Sequence, residues 1–123
     1  MYEVNIEIGA DASKYWASLA FEDRNGNIRE KQIGADREAS KNSNFLQALI
    51  EAVKELQVPC MVNVYTNSEY IIEPYKQGWI SKWEKNEWRN AKGNQVRNAA
   101  QWQEARKVLA RHSVRFFYTD GRR

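Results

Sequence analysis

A strand–helix–strand succession in the first half of the chain limits the folds that it can adopt. Val4, Ile6 and Ile8 alternate with polar residues, the period-two pattern of a strand with one buried face. A helix follows, because apolar residues recur at helical spacing: Phe45, Leu46, Leu49, Ile50, Val53 and Leu56. Residues 61–65 form a short apolar run that predicts the next strand. A helical crossover joins parallel strands, so these two strands are expected to be parallel neighbours.

Turn and capping residues divide the rest of this half. Residues 15–21 predict a second strand, and Asn25-Gly26-Asn27 supplies a tight hairpin into a third strand at 28–33. Residues 42–44 are helix-capping types, and Pro59 is expected to close the helix that follows them. The first three strands are therefore predicted to be antiparallel.

The second half predicts helices and one last strand. Residues 66–68 are expected to cap a helix that ends near Gly78. Residues 79–98 are predicted to be irregular and basic around a possible short helix, and 99–111 to be helical. Residues 114–118 predict the final strand. The expected fold is a single α/β domain over residues 1–123, with five strands and flanking helices.

Composition excludes several classes of protein. Cys60 is the only cysteine and His112 the only histidine, so an internal disulfide, a thiolate zinc cluster and a multi-histidine metal site are excluded. A reducing cytoplasm is the expected compartment. No apolar run approaches the roughly 20 residues that span a bilayer, so no membrane association is expected.

Charge and tryptophan concentrate in one region. Four of the five tryptophans lie within residues 79–102, and residues 76–111 carry nine basic and three acidic residues. The remainder carries ten basic and thirteen acidic residues, so a net charge of +3 hides a polarised molecule. Aromatic rings interleaved with cations suit a polyanion with stackable bases, and nucleic acid is the first partner to consider.

The motifs in this order resemble the type I ribonuclease H family. Residues 65–70, Y-T-N-S-E-Y, are similar to the family's S-T-D-S-Q-Y, and residues 10–13, A-D-A-S, to its T-D-G-S. Q-G-W-I-S-K-W at 77–83, then Trp88 and Q-W-Q at 101–103, match the basic protrusion of the family's long forms. The resemblance covers essentially the whole chain. It implies a mixed sheet of three antiparallel strands followed by strands parallel to the first, with the C-terminal helix absent.

The same resemblance implies that catalysis is lost. The family cleaves RNA/DNA hybrid with two divalent ions held by four acids, and such ions require anionic oxygen ligands. Asp11 matches the first acid, whereas Phe45 and Asn67 stand at the second and third. The fourth belongs to the absent helix, and Arg122 stands near the family's histidine. The chain is expected to have no catalytic residues and to hold no metal.

Two other interpretations of the acids stay open. Asp11, Glu69 and Asp120 could form a rebuilt centre for Mg²⁺ or Mn²⁺, which would make the chain a divergent nuclease. Alternatively, Asp11 forms a turn at the end of the strand, and the other acids are solvated surface residues.

A set of residues is predicted to bind RNA/DNA hybrid or double-stranded RNA: Asn42, Lys82, Trp83, Lys85, Trp88, Arg89 and Lys92. Packing is the alternative for Trp83 and Trp88, and helix capping is the alternative for Asn42. Trp79 is expected to seat the protrusion on the body, and Trp102 to lie in the core.

The missing last helix predicts an open sheet face. A contiguous apolar patch there would mark an interface with a second copy or another protein. Three classes of function therefore remain: a catalytically silent domain that binds nucleic acid, which is favoured, a protein-interaction or scaffolding module, and a divergent nuclease.

Overall fold

One five-stranded sheet organises the computed structural model, which describes residues 2–120. Its strands are β1 (Tyr2–Ala10), β2 (Lys14–Glu22), β3 (Ile28–Asp36), β4 (Cys60–Thr66) and β5 (Ser113–Tyr118). Its helices are α1 (Lys41–Lys54), α2 (Glu69–Lys76), α3 (Trp79–Lys85) and α4 (Ala99–Leu109). The strand order is β3-β2-β1-β4-β5. β1, β2 and β3 pair antiparallel, whereas β4 pairs parallel to β1 and β5 parallel to β4. The predicted mixed sheet is confirmed.

Local sequence chemistry explains where α1 begins and ends. The Ser40 hydroxyl accepts a hydrogen bond from the Ser43 backbone N–H, so Ser40 is the N-cap. The expectation that Asn42 caps this helix is wrong, because Asn42 lies exposed in its first turn. The helix ends at Lys54, ahead of Pro59, since the chain turns at Glu55.

The core lies between α1 and the sheet. Leu46, Leu49 and Ile50 are fully buried, and they face the helix side of β1 and β2. Burial of each such side chain contributes about 1.5–3 kcal/mol. α4 packs beside α1 and buries Trp102 completely, as the sequence predicts. No helix within residues 2–120 is both long and apolar enough to span a bilayer.

The sheet face opposite α1 is largely polar. Asn63 on β4 donates its amide hydrogens to Glu3 and Asn5 on β1, and Arg115 on β5 lies 3.5 Å from the Glu3 carboxylate. The predicted contiguous apolar patch is therefore wrong for the middle of this face. Aromatic residues occupy only one end, where Phe117 stacks on Tyr65. Self-association through this face stays a prediction.

Candidate functional site

A cleft opens at the carboxyl ends of the parallel strands. Its volume is about 260 Å³, and it is lined by residues from β1, β2, α1 and the segments after β4 and β5: Glu7, Ile8, Gly9, Ala10, Trp16, Lys41, Phe45, Asn67 and Thr119. The sheet topology thus brings Phe45 and Asn67 to one place, directly beside the end of β1 that precedes Asp11. These are the positions at which the sequence predicts the remnant of a catalytic site. Arg122 lies outside the described residues.

Asp11 forms a tight turn between β1 and β2. Its Oδ1 accepts hydrogen bonds from the Ser13 backbone N–H at 2.8 Å, the Ser13 hydroxyl at 2.9 Å and the Lys14 N–H at 3.0 Å. These bonds favour the charged carboxylate, and those from Ser13 contribute most to holding the pKa of Asp11 below its ordinary value. The turn-forming role predicted for Asp11 is confirmed.

The second and third acid positions supply no charge to the cleft. Phe45 is 3% exposed and belongs to the hydrophobic core, so its ring closes the floor of the cleft with apolar surface. Asn67 is exposed just after β4 and offers only a neutral carbonyl oxygen.

The described acids do not assemble a metal centre. Within residues 2–120, no three His, Cys, Asp or Glu side chains lie close enough together to hold a metal ion. The rebuilt centre of Asp11, Glu69 and Asp120 is therefore not formed. Magnesium needs a set of hard, anionic oxygen ligands. The donors of this cleft do not fit a pair of such ions.

Asn44 is a site-shaping residue that sequence reasoning assigned only to a group of capping types. Its side chain is completely buried, and its amide nitrogen donates to the backbone carbonyls of Asp11 and Arg37, each at 2.8 Å. Its carbonyl oxygen accepts from the Arg37 guanidinium at 2.8 Å. Asn44 therefore ties the Asp11 turn to the chain that enters α1. The signal available in the sequence is a polar residue directly beside the apolar Phe45 and Leu46.

The Trp-rich segment, residues 79–98, consists of α3 and a tight hairpin. Arg89 and Gln95 form a β-bridge, and Asn90 orders the turn between them by accepting from the N–H groups of Lys92 and Asn94. The Arg89 guanidinium donates to the Gly93 carbonyl at 3.0 Å. The segment is therefore well ordered internally, although the sequence predicts it to be largely irregular.

Aromatic rings connect this segment to the core. Trp83 lies 5.7 Å from the buried Trp102, 6.2 Å from Trp79 and 6.4 Å from Trp88, measured between ring centroids. Trp83 and Trp88 are half-buried, whereas Trp79 is 41% exposed. The expected seating role of Trp79 thus falls to Trp83, which has the central position in the cluster. Nucleic-acid contact by Trp83 and Trp88 stays a prediction.

The backbone at the end of α3 is strained. Glu87 and Trp88 adopt left-handed conformations with φ of 55° and 62°, which cost roughly 1–2 kcal/mol each in residues with a Cβ. Two hydrogen bonds hold this turn: Trp88 donates its N–H to the Trp83 carbonyl, and its own carbonyl accepts from Val96. The strain is therefore held by contacts that fix the Trp88 ring against Trp83.

Cationic side chains lie beside the exposed ring of Trp79. A surface pocket of about 500 Å³ is lined by Trp79, Lys82, Trp83, Asn86, Arg89, Asn90 and Ala91. Lys85 and Lys92 are also exposed on the same segment. Sequence reasoning did not include Trp79 among the binding residues. Its spacing from Lys82 and Trp83 on a helix, three and four positions, is the signal that would have placed the three on one face.

Comparison with known proteins agrees with this architecture. The RNase H family model matches residues 9–122. A ribonuclease H of Caldicellulosiruptor saccharolyticus is 41% identical over 89 residues, which cover 72% of this chain and 61% of the relative. A ribonuclease H of Thermus thermophilus is 35% identical over 107 residues, covering 86% and 62%.

Solved structures share the fold. LC9-RNase H1, described as a type 1 RNase H with the type 2 active-site motif, superposes with a TM-score of 0.84 at 19% identity, over 98% of this chain and 64% of that one. LC11-RNase H1 in complex with RNA/DNA hybrid superposes with a TM-score of 0.60 at 18% identity, over 97% and 85%.

This chain has a mixed five-stranded sheet, and Asp11 directly follows its first strand. The architecture is that of an RNase H-like α/β domain. The chain belongs to the RNase H family. It spans about three-fifths of the length of the curated relatives that it matches.

Proposed function

We propose that this domain binds RNA/DNA hybrid through the Trp-rich segment and the first turn of α1, and that it does not cleave the bound strand. The observation that carries the proposal is the pocket in which the exposed Trp79 ring lies beside Lys82 and Arg89. Membership of the RNase H family supports the choice of hybrid, as does the likeness to a structure solved with this ligand. Exposed Asn42 follows Lys41, which lines the cleft, and extends the proposed contact surface.

The energetics of this surface fit a sequence-independent polyanion ligand. A base or sugar stacked on an exposed tryptophan contributes about 1–3 kcal/mol. Each Lys or Arg that meets a phosphate adds a term that weakens as salt rises, because bound counterions are released. Lys82, Lys85, Arg89 and Lys92 provide four such cations on one segment.

The donors in the cleft support the proposed absence of cleavage. Two divalent ions beside a phosphodiester need several carboxylates to offset their charge. Here the second position is apolar Phe45 and the third is neutral Asn67. The Asp11 Oδ1 is already engaged by three hydrogen bonds. The second candidate, hydrolysis of the RNA strand, is favoured by the name of the curated relatives and by the retained Asp11.

One assay separates the two candidates. Labelled hybrid, duplex RNA and duplex DNA are incubated with pure protein and either Mg²⁺ or Mn²⁺, and both mobility shift and cleavage are scored. We expect hybrid or duplex RNA to shift without cleavage. Metal-dependent cleavage that is lost in Asp11→Asn would establish the nuclease instead. Absence of both shift and cleavage would favour the scaffolding module.

Matched variants locate the binding surface. Trp79→Ala is expected to weaken hybrid binding about tenfold, because one stacking platform is removed. Lys82→Ala is expected to weaken binding to all sequences and to reduce the salt slope by about one. Arg24→Ala is the control, since Arg24 is also exposed but lies at the β2–β3 turn, at the end of the sheet opposite the cleft. Equal losses in Lys82→Ala and Arg24→Ala would contradict binding at the Trp-rich segment.

A further inference from the structure

A further cavity of the described chain lies away from the proposed hybrid-binding surface. It is a groove of about 700 Å³ between α2, α4 and β5. Its floor is apolar, formed by Ile72 of α2, Leu109 of α4, and Val114 and Phe116 of β5. None of the residues that line this groove lines the cleft or belongs to the Trp-rich segment.

The groove borders an open edge of the sheet. β5 is the last strand in the order and, within residues 2–120, pairs only with β4. A strand at a sheet edge presents unpaired N–H and C=O groups along its outer side. Alternate side chains of β5, Val114, Phe116 and Tyr118, line the groove. An extended segment added to this edge would pair its backbone with β5 and place every second side chain in the groove.

Charge selects the occupant. Lys76 and Arg106 line the groove, and no acidic residue does within residues 2–120. Arg106 is paired with Glu84 at 2.6 Å, but Lys76 forms no ion pair with a described residue. His112 adds no charge at neutral pH, because burial lowers its pKa and its Nδ1 accepts a hydrogen bond from the Cys60 N–H. The net positive charge of the rim therefore comes from Lys76.

The same charge argues against a second copy. Pairing β5 with β5 of another protomer would bring two copies of Lys76, which has no ion-pair partner among residues 2–120, toward one contact, and like charges at a contact cost free energy. Duplex nucleic acid matches the charge but offers no apolar side chains for Ile72 and Phe116. An acidic peptide in an extended conformation fits the open strand edge, the apolar floor and the positive charge of the groove.

We propose that the edge of β5 and its adjoining groove bind an extended acidic peptide that alternates carboxylate and bulky apolar side chains. The bound peptide adds a sixth strand to the sheet. Its apolar side chains fill the floor of the groove, and its carboxylates face Lys76 and Arg106. Apart from the ion pair between Arg106 and Glu84, this surface lies outside the Trp-rich segment, so a domain bound to hybrid can also be held by a protein partner.

The test uses a fluorescently labelled peptide in which Glu alternates with Val and Phe, and a matched peptide with Lys in place of Glu. Anisotropy is expected to show about tenfold tighter binding of the acidic peptide. Lys76→Glu is expected to weaken that binding about tenfold, whereas Lys107→Glu, an exposed control on α4, leaves it unchanged. Hydrogen exchange is expected to slow at residues 113–118 in the complex.

Several results would overturn the proposal. They are absence of binding at millimolar acidic peptide, equal binding of both peptides, and protection outside β5. A dimer by light scattering that disappears in Lys76→Glu would assign the edge to a second copy, and displacement of the acidic peptide by hybrid would assign the groove to nucleic acid. Hybrid binding in Trp79→Ala is measured without the peptide, so its loss says nothing about peptide binding at β5. The proposal for hybrid binding and the proposal for peptide binding can therefore fail independently.

Discussion

Replacement of Asn44 by Ala is the most direct test of how the cleft is held together. Asn44 is completely buried and takes part in three hydrogen bonds, two donated to carbonyls of Asp11 and Arg37 and one accepted from the Arg37 guanidinium. A neutral hydrogen bond contributes about 1 kcal/mol net, and one to a charged group about 1.5–3 kcal/mol. The three together predict that Asn44→Ala lowers the free energy of unfolding by about 3–5 kcal/mol.

Urea denaturation followed by circular dichroism measures this loss. Asn42→Ala is the matched control, because Asn42 lies two residues away in the same helical turn but is exposed. We expect the control to change the free energy of unfolding by less than about 0.5 kcal/mol. A loss below about 1 kcal/mol in Asn44→Ala, or equal losses in both variants, would refute the view that this amide anchors the Asp11 turn.

Three further predictions concern buried or strained groups. Tyr75→Phe is expected to raise the free energy of unfolding by about 1 kcal/mol in urea, because the buried hydroxyl has no hydrogen-bond partner within residues 2–120. Gly9→Ala is expected to lower it by about 1 kcal/mol, since a Cβ at Gly9 would overlap the exposed indole of Trp16, which would have to leave its rotamer; an unchanged urea midpoint would contradict this contact. Asp11 and Asp23 have lowered pKa values because backbone and side-chain donors bond their carboxylates. Their contribution to stability is therefore full above about pH 4 and lost as the pH falls through the lowered values. The Asp11→Asn, Asp23→Asn double variant should show a weaker loss of stability between pH 5 and pH 2 in urea titrations, and an unaltered pH profile would contradict the assignment.

The elements of this fold are largely encoded locally. The alternation of Val4, Ile6 and Ile8 and the apolar stripe of α1 each depend on residues within one element, so the sequence predicts them. The hairpin at Gly26, where φ is 80°, follows from a residue that accepts positive φ without strain. The observed ends of the elements differ from the predicted ends by a few residues, as at the C-terminus of α1, because the last turn of a helix depends on weak local hydrogen bonds.

The candidate site depends on contacts between distant residues. The residue types at positions 45 and 67, Phe and Asn, are enough to predict that the cleft lacks negative charge. For Asp11, the sequence leaves open whether it forms a turn or a metal centre. Which tryptophan is exposed was not predictable, because Trp79, Trp83 and Trp88 share similar polar surroundings in the chain. The packing of Trp83 on Trp102, which joins α3 to α4, decides which of these rings is exposed.

The sequence by itself determined the strand and helix order, the family resemblance and the concentration of cations and indole rings, since each depends on residue type and spacing. Only the tertiary structure decided that Asn44 bridges the Asp11 turn, that the sheet face opposite α1 is polar, and that a cationic groove borders β5. These features arise where side chains from separate elements meet. The exposure and the partners of these side chains are set by packing between elements that are distant in sequence, so a local sequence pattern does not predict them.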